Sequence, residues 1–301
     1  MTLPGDRVIV TVAPTGGFIT RREHPFVPVQ PDEIADDVAR CVDAGASVAA
    51  LHARRPDGQA TCSAATYRDI NARVRARRDV VVNNSTGGGI NGDLLRATDH
   101  GTHVIDWDAR LEGLDGGADT CTLDAITAYV TGPDGREVLM DTSAARARQL
   151  AEGMRERGIK PEWEAFSPTH LVREVAHLVA AGINPAPHLV NLVLGLDRTF
   201  QNALPWGPQH LQAMLAEVPD DAVVGVTVNG PDQLVGLTHA LTLGLHVRVG
   251  IEDHGLLHGE PVENVRLVEH VVTLVESLGL TPATTAEARA ALGLAQEVAH
   301  A

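Results

Sequence analysis

The sequence has few aromatic residues, few cysteines and no long apolar run, and each shortage excludes a class of protein. Phe, Trp and Tyr make up only 3% of the 301 residues, too few for a surface that stacks the bases of single-stranded nucleic acid. The three cysteines form no Cys-x-x-Cys pair, which predicts a reducing compartment without a disulfide framework. No apolar run reaches the roughly 18 residues of a membrane span, and no signal-peptide pattern opens the chain. We therefore expect a soluble, cytoplasmic protein.

Basic residues are also scarce. Lys and Arg total 24 against 39 Asp and Glu, so the formal net charge is −15. A strongly acidic surface disfavours nucleic acid and anionic membranes as partners, although a local pocket can still bind an anionic small molecule. Because 44% of the residues are hydrophobic, the chain can bury a full core, and we expect a folded protein.

Short β-branched runs alternate with amphipathic segments along the whole chain. The eight runs are Val8–Val12, Ser47–Leu51, Val80–Val82, Thr120–Leu123, Trp163–Phe166, His188–Leu192, Ala222–Val226 and His246–Ile251. The helical patterns are Pro31–Ala44, Ala64–Arg77, Ala144–Arg157, Thr169–Ala181, Pro208–Ala216, Pro231–Leu243 and Val262–Leu278, with a less regular one at Asn91–Ala97. Nearly continuous Val, Ile and Leu in strands separated by helices indicate a parallel sheet that is covered on both faces.

Eight such units predict a single (β/α)8 TIM-type barrel that forms one domain over residues 1–301. An open, doubly wound sheet is the alternative, but no G-x-G-x-x-G motif follows the first strand. A capping box, Thr284 with Glu287, opens an extra C-terminal helix at about Ala286–Val298. The glycine-rich segments Gly113–Asp119 and Gly132–Arg136 are interpreted as surface insertions.

Functional residues of a barrel gather where its strands end. A histidine, His52, follows the second run, where it is suited to metal binding or to acid–base chemistry. After the third run come Ser85, Thr86 and the glycines 87–89, whose exposed N–H groups can form an anion-binding nest. The alternative for that segment is a flexible loop.

The densest cluster of ionisable residues follows the eighth run. Arg248, Glu252, Asp253 and His254 lie within seven residues, and the strand period places Arg248 and Glu252 on one side. Two carboxylates, an Arg and a His can combine a metal ligand with an acid–base relay. A solvated turn with local salt bridges is the alternative.

These motifs, taken in order, resemble those of the β-keto acid cleavage enzymes, whose prototype is the 3-keto-5-aminohexanoate cleavage enzyme. The resemblance covers nearly the whole chain. The matching strings are Val12-Ala13-Pro14-Thr15-Gly16-Gly17, Pro28-Val29-Gln30-Pro31-Asp32-Glu33-Ile34, Ala44-Gly45-Ala46, Leu51-His52-Ala53-Arg54, Pro56-Asp57-Gly58, Asn84-Ser85-Thr86-Gly87-Gly88, Lys160-Pro161-Glu162-Trp163-Glu164, Arg248-Val249-Gly250-Ile251-Glu252-Asp253, Asn264 and Ala286-Glu287-Ala288-Arg289.

The resemblance implies a (β/α)8 barrel, a divalent metal that is usually zinc, and a homotetramer. The reaction that it implies joins a β-keto acid with acetyl-CoA and gives acetoacetate and a new CoA thioester. His52 and Glu252 then match two metal ligands of the family. Arg248 and Asp253 match the pair that generates the reactive enolate.

Further family roles fall on substrate-binding residues. Ser85 and the loop after it, with Thr86, Gly87 and Gly88, match the group that holds the substrate carboxylate. Thr122 and Glu164 match polar groups of the site wall.

Two departures from the family pattern bear on activity. Ala50 stands where the first His of the His-x-His metal motif is expected, which leaves His254 or His24 as candidate third ligands. Phe18 stands where the prototype has a Glu that pairs with a substrate ammonium, so we expect a substrate with a neutral or apolar tail. The alternative hypothesis is a divergent relative that acts as a metal-free enzyme or as a small-molecule-binding protein.

Overall fold

Eight parallel strands form a closed barrel at the centre of the protein. A computed structural model describes residues 5–88, 90, 92–99, 102–124, 126–132 and 135–294. The strands pair in chain order, and the eighth pairs back to the first. They are β1 (Val10–Val12), β2 (Val48–Leu51), β3 (Val81–Asn84), β4 (Thr120–Asp124), β5 (Lys160–Ala165), β6 (His188–Leu194), β7 (Ala222–Val228) and β8 (His246–Val249). The (β/α)8 prediction is therefore confirmed, with one barrel strand in each of the eight runs.

The end of β8 differs from the prediction in a way that matters for the site. The strand stops at Val249, and a short helix, Ile251–His254, begins after Gly250. Gly250 has a φ of 159°, and a Cβ there would lie 2.1 Å from the Ala13 carbonyl oxygen, so this close approach requires glycine. Glu252 therefore reaches the site by a turn of helix and not by strand alternation.

Helices surround the barrel at or near the predicted positions. They are Pro31–Asp43, Ala64–Arg77, Trp107–Glu112, Ala144–Glu156, Pro168–His170, Ala176–Ala180, Pro208–Leu215, Gln233–Thr242, Asn264–Ser277 and Thr285–Ala291. The predicted capping box is present, since the Thr284 hydroxyl accepts from the Glu287 N–H and Glu287 accepts in return. The last helix ends at Ala291, and residues 295–298 of its predicted extent lie outside the described residues.

Two local predictions are wrong, and one helix is confirmed with an irregularity. Within Asn91–Ala97, residues Leu95–Ala97 form a strand and not a helix, while residue 91 lies outside the described residues. The segment Thr169–Ala181 is helical as predicted, and it contains a π-helical stretch at Leu171–Val175. The segment Gly113–Asp119 is only partly a surface loop. It contains a 3-10 turn in which Leu114 is 1% exposed and packs into the core.

A second sheet lies over one side of the barrel mouth and is here called the lid sheet. Its four short strands are Leu95–Ala97, His103–Ile105, Thr127–Thr131 and Glu137–Asp141. The turn Gly132–Arg136 joins the last two strands, although residues 133 and 134 are outside the described residues. Ile105, Val130 and Met140 pack with Phe166 and Val193 of the barrel in one buried apolar cluster. No helix in the described part of the chain is long and apolar enough to cross a membrane.

Candidate active site

A cavity of about 430 Å³ opens at the carboxyl ends of the barrel strands, between the barrel and the lid sheet. Of the residues predicted from the sequence, it is lined by Phe18, His52, Ser85, Gly87, Glu164, Arg248 and Glu252. Because parallel strands all end on the same side, residues as far apart in the sequence as Phe18 and Glu252 meet here. One side of the cavity is charged and the other is apolar.

Arg248 is the centre of the charged side. Its guanidinium donates to Asp253 through Nε at 3.0 Å and Nη2 at 2.8 Å, to Glu252 Oε1 at 2.7 Å and to Glu164 Oε1 at 3.2 Å. The Arg248 residue is only 8% exposed. The guanidinium makes four bonds to three buried carboxyl groups, and a lysine, which has three donors and no planar fork, could not make all four.

The three carboxyl groups around Arg248 differ in acidity. Burial opposes the charge of Glu252, but Arg248 and then His52 outweigh it and lower its pKa to about 2. Burial raises the pKa of Asp253 to about 6 although Arg248 opposes the shift. The Asp253 side chain has no exposed surface and does not line the cavity, so it lies behind Arg248.

A further carboxylate, Asp124, faces Glu164, and sequence reasoning did not single it out. The two residues are paired in register across β4 and β5, and both line the cavity. Burial raises the pKa of Glu164 well above its usual value, and Asp124 adds to the shift while Arg248 opposes it. Burial and Asp124 therefore favour the neutral form of Glu164, and Arg248 favours the charged form. The available signal was that Asp124 ends a strand.

Some of the predicted polar residues in the glycine loop after β3 face the cavity, and others do not. Ser85 and Gly87 line it, and the Ser85 hydroxyl accepts from the Gly87 N–H at 3.1 Å. The Thr86 hydroxyl donates to the Thr122 carbonyl at 2.8 Å, and Thr122 Oγ1 accepts from the Thr86 N–H. Gly88 packs against Tyr67, where a Cβ would lie 2.8 Å from the hydroxyl. Thr86 and Gly88 therefore support the loop from behind.

Arg110, another residue that the sequence analysis missed, holds this loop to the lid sheet. It is 1% exposed and donates to the Thr86 hydroxyl at 3.0 Å, to Asp124 at 3.1 Å and to the Thr142 hydroxyl at 2.9 Å. Thr142 directly follows the last lid strand. One buried guanidinium thus ties together the glycine loop, the Asp124–Glu164 pair and the lid sheet.

The loop after β1 closes the site from the other side. Arg54 is buried and donates through Nη2 to the carbonyl oxygens of Thr15, Gly16 and Ile19 at 2.6 to 2.7 Å. Gly16 has a φ of 58°, and a Cβ there would lie 2.8 Å from Glu252 Cγ. The glycine therefore lets the loop pack directly on Glu252.

The apolar side of the cavity is formed by loops and by the lid sheet. It is lined by Phe18, Ile90, Met140, Phe166, Val193, Leu196 and Phe200. Phe166 and Phe200 stack with ring centroids 5.1 Å apart. The lid edge is fixed to the Phe200 loop, since the Thr131 N–H donates to Thr199 and the Gln201 N–H donates to Tyr129.

The two predicted metal ligands that line the cavity have a spacing that fits a metal ion. His52 Nε2 and Glu252 Oε1 are 3.4 Å apart, which is long for a hydrogen bond. Two ligands that each lie about 2.0–2.1 Å from a tetrahedral zinc ion are about 3.4 Å apart. Glu252 Oε2 has no hydrogen-bond partner in the described structure. This part of the donor set fits a divalent cation.

A third ligand does not come from the predicted histidines. His24 Nε2 donates to the Gly255 carbonyl at 2.8 Å, and neither His24 nor His254 lines the cavity. Among the described residues, no three His, Cys, Asp or Glu side chains are grouped as a metal site. The position of Ala50 leaves only a methyl group where the family pattern has an imidazole.

Comparison with known proteins agrees with this geometry. The model of the β-keto acid cleavage enzyme family matches residues 7–294. A 3-keto-5-aminohexanoate cleavage enzyme of Acetoanaerobium sticklandii is 29% identical over 97% of this chain and its own full length. A 3-dehydrocarnitine:acetyl-CoA trimethylamine transferase of Rhizobium meliloti is 31% identical over 90% of this chain and 91% of its own.

Among solved structures, a ternary complex of ObcA with a C4-CoA adduct and oxalate superimposes with a TM-score of 0.69. It is 21% identical and covers 90% of this chain and 68% of the ObcA chain, and so supports the barrel fold. The family match extends over almost the whole described chain and includes both the Arg248 cluster and the glycine loop. The chain therefore belongs to the β-keto acid cleavage enzyme family and is an enzyme of that family.

Proposed function

We propose that the enzyme exchanges acyl groups between acetyl-CoA and a β-keto acid with a neutral, apolar tail. In this reaction the carbon between the ketone and the carboxylate loses a proton and bonds to the acetyl carbon, whose bond to the sulfur of CoA breaks. The freed thiolate then bonds to the original acyl carbon, whose bond to the central carbon breaks, and the proton returns to that carbon. The products are acetoacetate and a new CoA thioester. The observation that carries the proposal is a single cavity with the Arg248 cluster on one side and an apolar wall on the other.

The glycine loop binds the carboxylate of the substrate in this proposal. Ser85 lines the cavity, and its hydroxyl accepts from the Gly87 N–H, which leaves the hydroxyl hydrogen free to donate to a carboxylate. A hydroxyl oriented in this way can hold an anion without a charged side chain. The Arg110 contacts to Thr86 and Asp124 keep the loop in place.

Arg248 and Asp253 generate and stabilise the enolate. The Arg248 guanidinium lines the cavity, where a fixed cation stabilises the oxyanion. Asp253 would accept the proton after a rearrangement that opens a bond to Arg248 and brings one of its oxygens to the cavity, because in this structure both oxygens are engaged and the side chain lies behind Arg248. Asp253→Asn tests this role: kinetic turnover should fall by about 10²–10⁴-fold while the fold is kept. Unchanged turnover would assign the proton transfer to another group.

His52 and Glu252 are the side chains that would hold a divalent metal ion, and zinc is the family's usual choice. When bound, the ion supplies Lewis-acid polarisation of the β-carbonyl. Since two of the usual three zinc ligands are in place, we expect less than one equivalent of metal after mild dialysis. Elemental analysis measures this, and a full equivalent that survives strong chelation would contradict a two-ligand site and require a third ligand from another residue.

The apolar wall selects the tail of the substrate. Phe18, Phe166 and Phe200 offer no charge partner to an ammonium group, whose burial would be unfavourable. An apolar tail instead gains about 25 cal/mol for each Å² that it buries. The wall therefore favours straight or branched hydrocarbon tails.

A substrate panel with acetyl-CoA tests the proposal. Neutral straight-chain and branched β-keto acids should react faster than 3-keto-5-aminohexanoate, measured as acetoacetate formed. Phe18→Glu is the matched variant, and it should shift the preference toward the amino substrate. A wild-type preference for the amino substrate would overturn the assignment of the tail.

The residue at position 50 favours a second candidate function. Ala50 removes an expected ligand, which favours a metal-free enzyme or a small-molecule-binding protein. Absence of turnover with every β-keto acid of the panel would support this second candidate. A cytoplasmic homotetramer belongs to the main proposal on the family resemblance, and light scattering on the purified protein measures the assembly.

A further inference from the structure

A small second cavity lies beside Ala50, below the main one. It measures about 20 Å³, and Ala50, His52, Asn83 and Glu252 are among its lining residues. Ala50 and Asn83 are direct neighbours in the register of β2 and β3. A cavity of this size holds one water molecule or one ion.

Asn83 presents an unpaired oxygen in this region. The residue is fully buried, and its Nδ2 donates to Glu162 Oε2 at 2.6 Å. That bond sets the orientation of the amide, while Oδ1 has no hydrogen-bond partner among the described residues. Glu252 Oε2, on the same cavity, is unpaired as well. Buried hydrogen-bond acceptors rarely lack a partner. Two unpaired acceptors on one small cavity therefore indicate that a water molecule or an ion binds there.

A cation fits this small cavity better than a water molecule alone. The unpaired atoms of Asn83 and Glu252 are both acceptors, which either a cation or the two hydrogens of one water molecule can satisfy, so the position of His52 decides between them. The 3.4 Å separation of His52 Nε2 from Glu252 Oε1 is that of two ligands on one ion. Glu162 supports the Asn83 amide in the way that outer carboxylates orient ligands in metal sites.

We propose that Asn83 Oδ1 is the third protein ligand of a divalent cation that His52 and Glu252 hold, in place of the side chain missing at Ala50. This inference deepens the metal part of the proposed function and rests on it. An amide oxygen is a harder donor than an imidazole nitrogen, and hard oxygen donors suit Mn²⁺ better than an additional imidazole does. The site should therefore discriminate less strongly between Zn²⁺ and Mn²⁺ than a site with two histidines.

Calorimetric titration of the chelator-stripped, full-length protein with Zn²⁺ and with Mn²⁺ tests the inference. Asn83→Ala should weaken the binding of both ions by about tenfold or more. Asn84→Ala is the matched control, because it deletes the same group at the next position of β3, and Asn84 lines neither cavity. Ala50→His should strengthen Zn²⁺ binding by about tenfold and raise the ratio of Zn²⁺ to Mn²⁺ affinity.

The absorption spectrum of the Co²⁺-loaded protein supplies a ligand signature that does not depend on catalysis. It should differ between wild type and Ala50→His, and between wild type and Asn83→Ser, the variant to use if Asn83→Ala does not fold. Equal affinities and spectra in wild type and the Asn83 variants overturn the assignment, as does binding of neither ion to the wild type. Acyl exchange by the metal-stripped protein would leave the proposed reaction standing without this site.

Discussion

The charged and the apolar sides of the cavity are built on different parts of the molecule. His52, Glu164 and Arg248 lie at or just after the ends of barrel strands, whose positions are set by the sheet register. Phe18, Met140 and Phe200 come from a loop, the lid sheet and another loop. In the proposed function, the chemistry would depend on the rigid barrel, and tail selection would depend on parts that can vary without moving the barrel.

The two sides also differ in how they are held together. On the charged side, Arg248 forms ion pairs with three buried carboxyl groups. Removal of Arg248 would leave buried acidic groups without a counter-charge, which is strongly destabilising. The apolar wall is held by packing, as in the stacked pair Phe166 and Phe200. Each side chain of the apolar wall can be shortened singly, and the loss of stability is then limited to the contacts of that side chain.

The largest effect is expected on the charged side. Arg248→Lys keeps the charge but, with three donors and no planar fork, cannot make the four bonds that Arg248 makes to its three carboxyl partners. We expect kcat/KM to fall by about 10³-fold, because the donor that faces the enolate is displaced. Steady-state kinetics measure this, and Arg198→Lys, on the rim of the same cavity, is the control that should stay within about threefold. If kcat/KM fell equally in both variants, the Arg248 cluster would have no special role compared with the rim of the cavity.

The link between the two sides gives the second prediction. Arg110→Met removes the bonds from the lid sheet to the glycine loop and to Asp124. We expect KM for the β-keto acid to rise by about 10–100-fold with a smaller change in kcat, because the carboxylate loop is misplaced.

Arg146→Met is its control, since Arg146 packs on the same Trp107 ring but is partly exposed. A loss of thermal stability in Arg110→Met without a change in KM would make its role structural only.

The apolar side gives the third prediction. Phe200→Ala should lower the preference for long neutral tails over short ones by about 10–100-fold in kcat/KM, since one pocket contact is worth about that much. Turnover of the shortest substrate should change little because the Arg248 cluster is untouched. Phe26→Ala, at an exposed phenylalanine, serves as the control. An equal loss for all substrates would mean that the wall also supports the chemistry.

The smallest effect concerns the stability of the apolar wall in acid. His170 Nδ1 accepts from the Phe166 N–H at 3.0 Å, and burial lowers the His170 pKa to about 4. A histidine that is neutral in the fold stabilises it above its unfolded pKa, and the contribution is lost as the pH falls from about 6.5 to 4. The loss should reach at most about 3 kcal/mol.

Urea unfolding between pH 4 and pH 7 measures this loss. His170→Gln should flatten the decline of the unfolding free energy in that window, whereas His177→Gln, at an exposed histidine of the same segment, should not. A decline of the same size in His170→Gln and wild type would assign the acid sensitivity to other groups.

Periodicity and motif order predicted much of the charged side, and little of what supports it. The runs that became β2 and β8 predicted where His52 and Arg248 would emerge, and the Ser85 loop followed from its glycines. Arg110 and Asp124 escaped notice because a buried ion pair is defined by proximity, which no local pattern encodes. The lid strand at Leu95–Ala97 is too short for an alternation to be visible.

The sequence by itself determined the barrel, because strand and helix periods repeat along the chain and right-handed parallel units can close in few ways. It also determined which chemical groups stand at the strand ends. Only the tertiary structure decided that Glu252 enters by a helical turn, that Asp253 lies behind Arg248, and that an amide at position 83 faces the gap at Ala50. Those facts depend on register and packing between distant segments, where a shift of one residue turns a side chain to the other face.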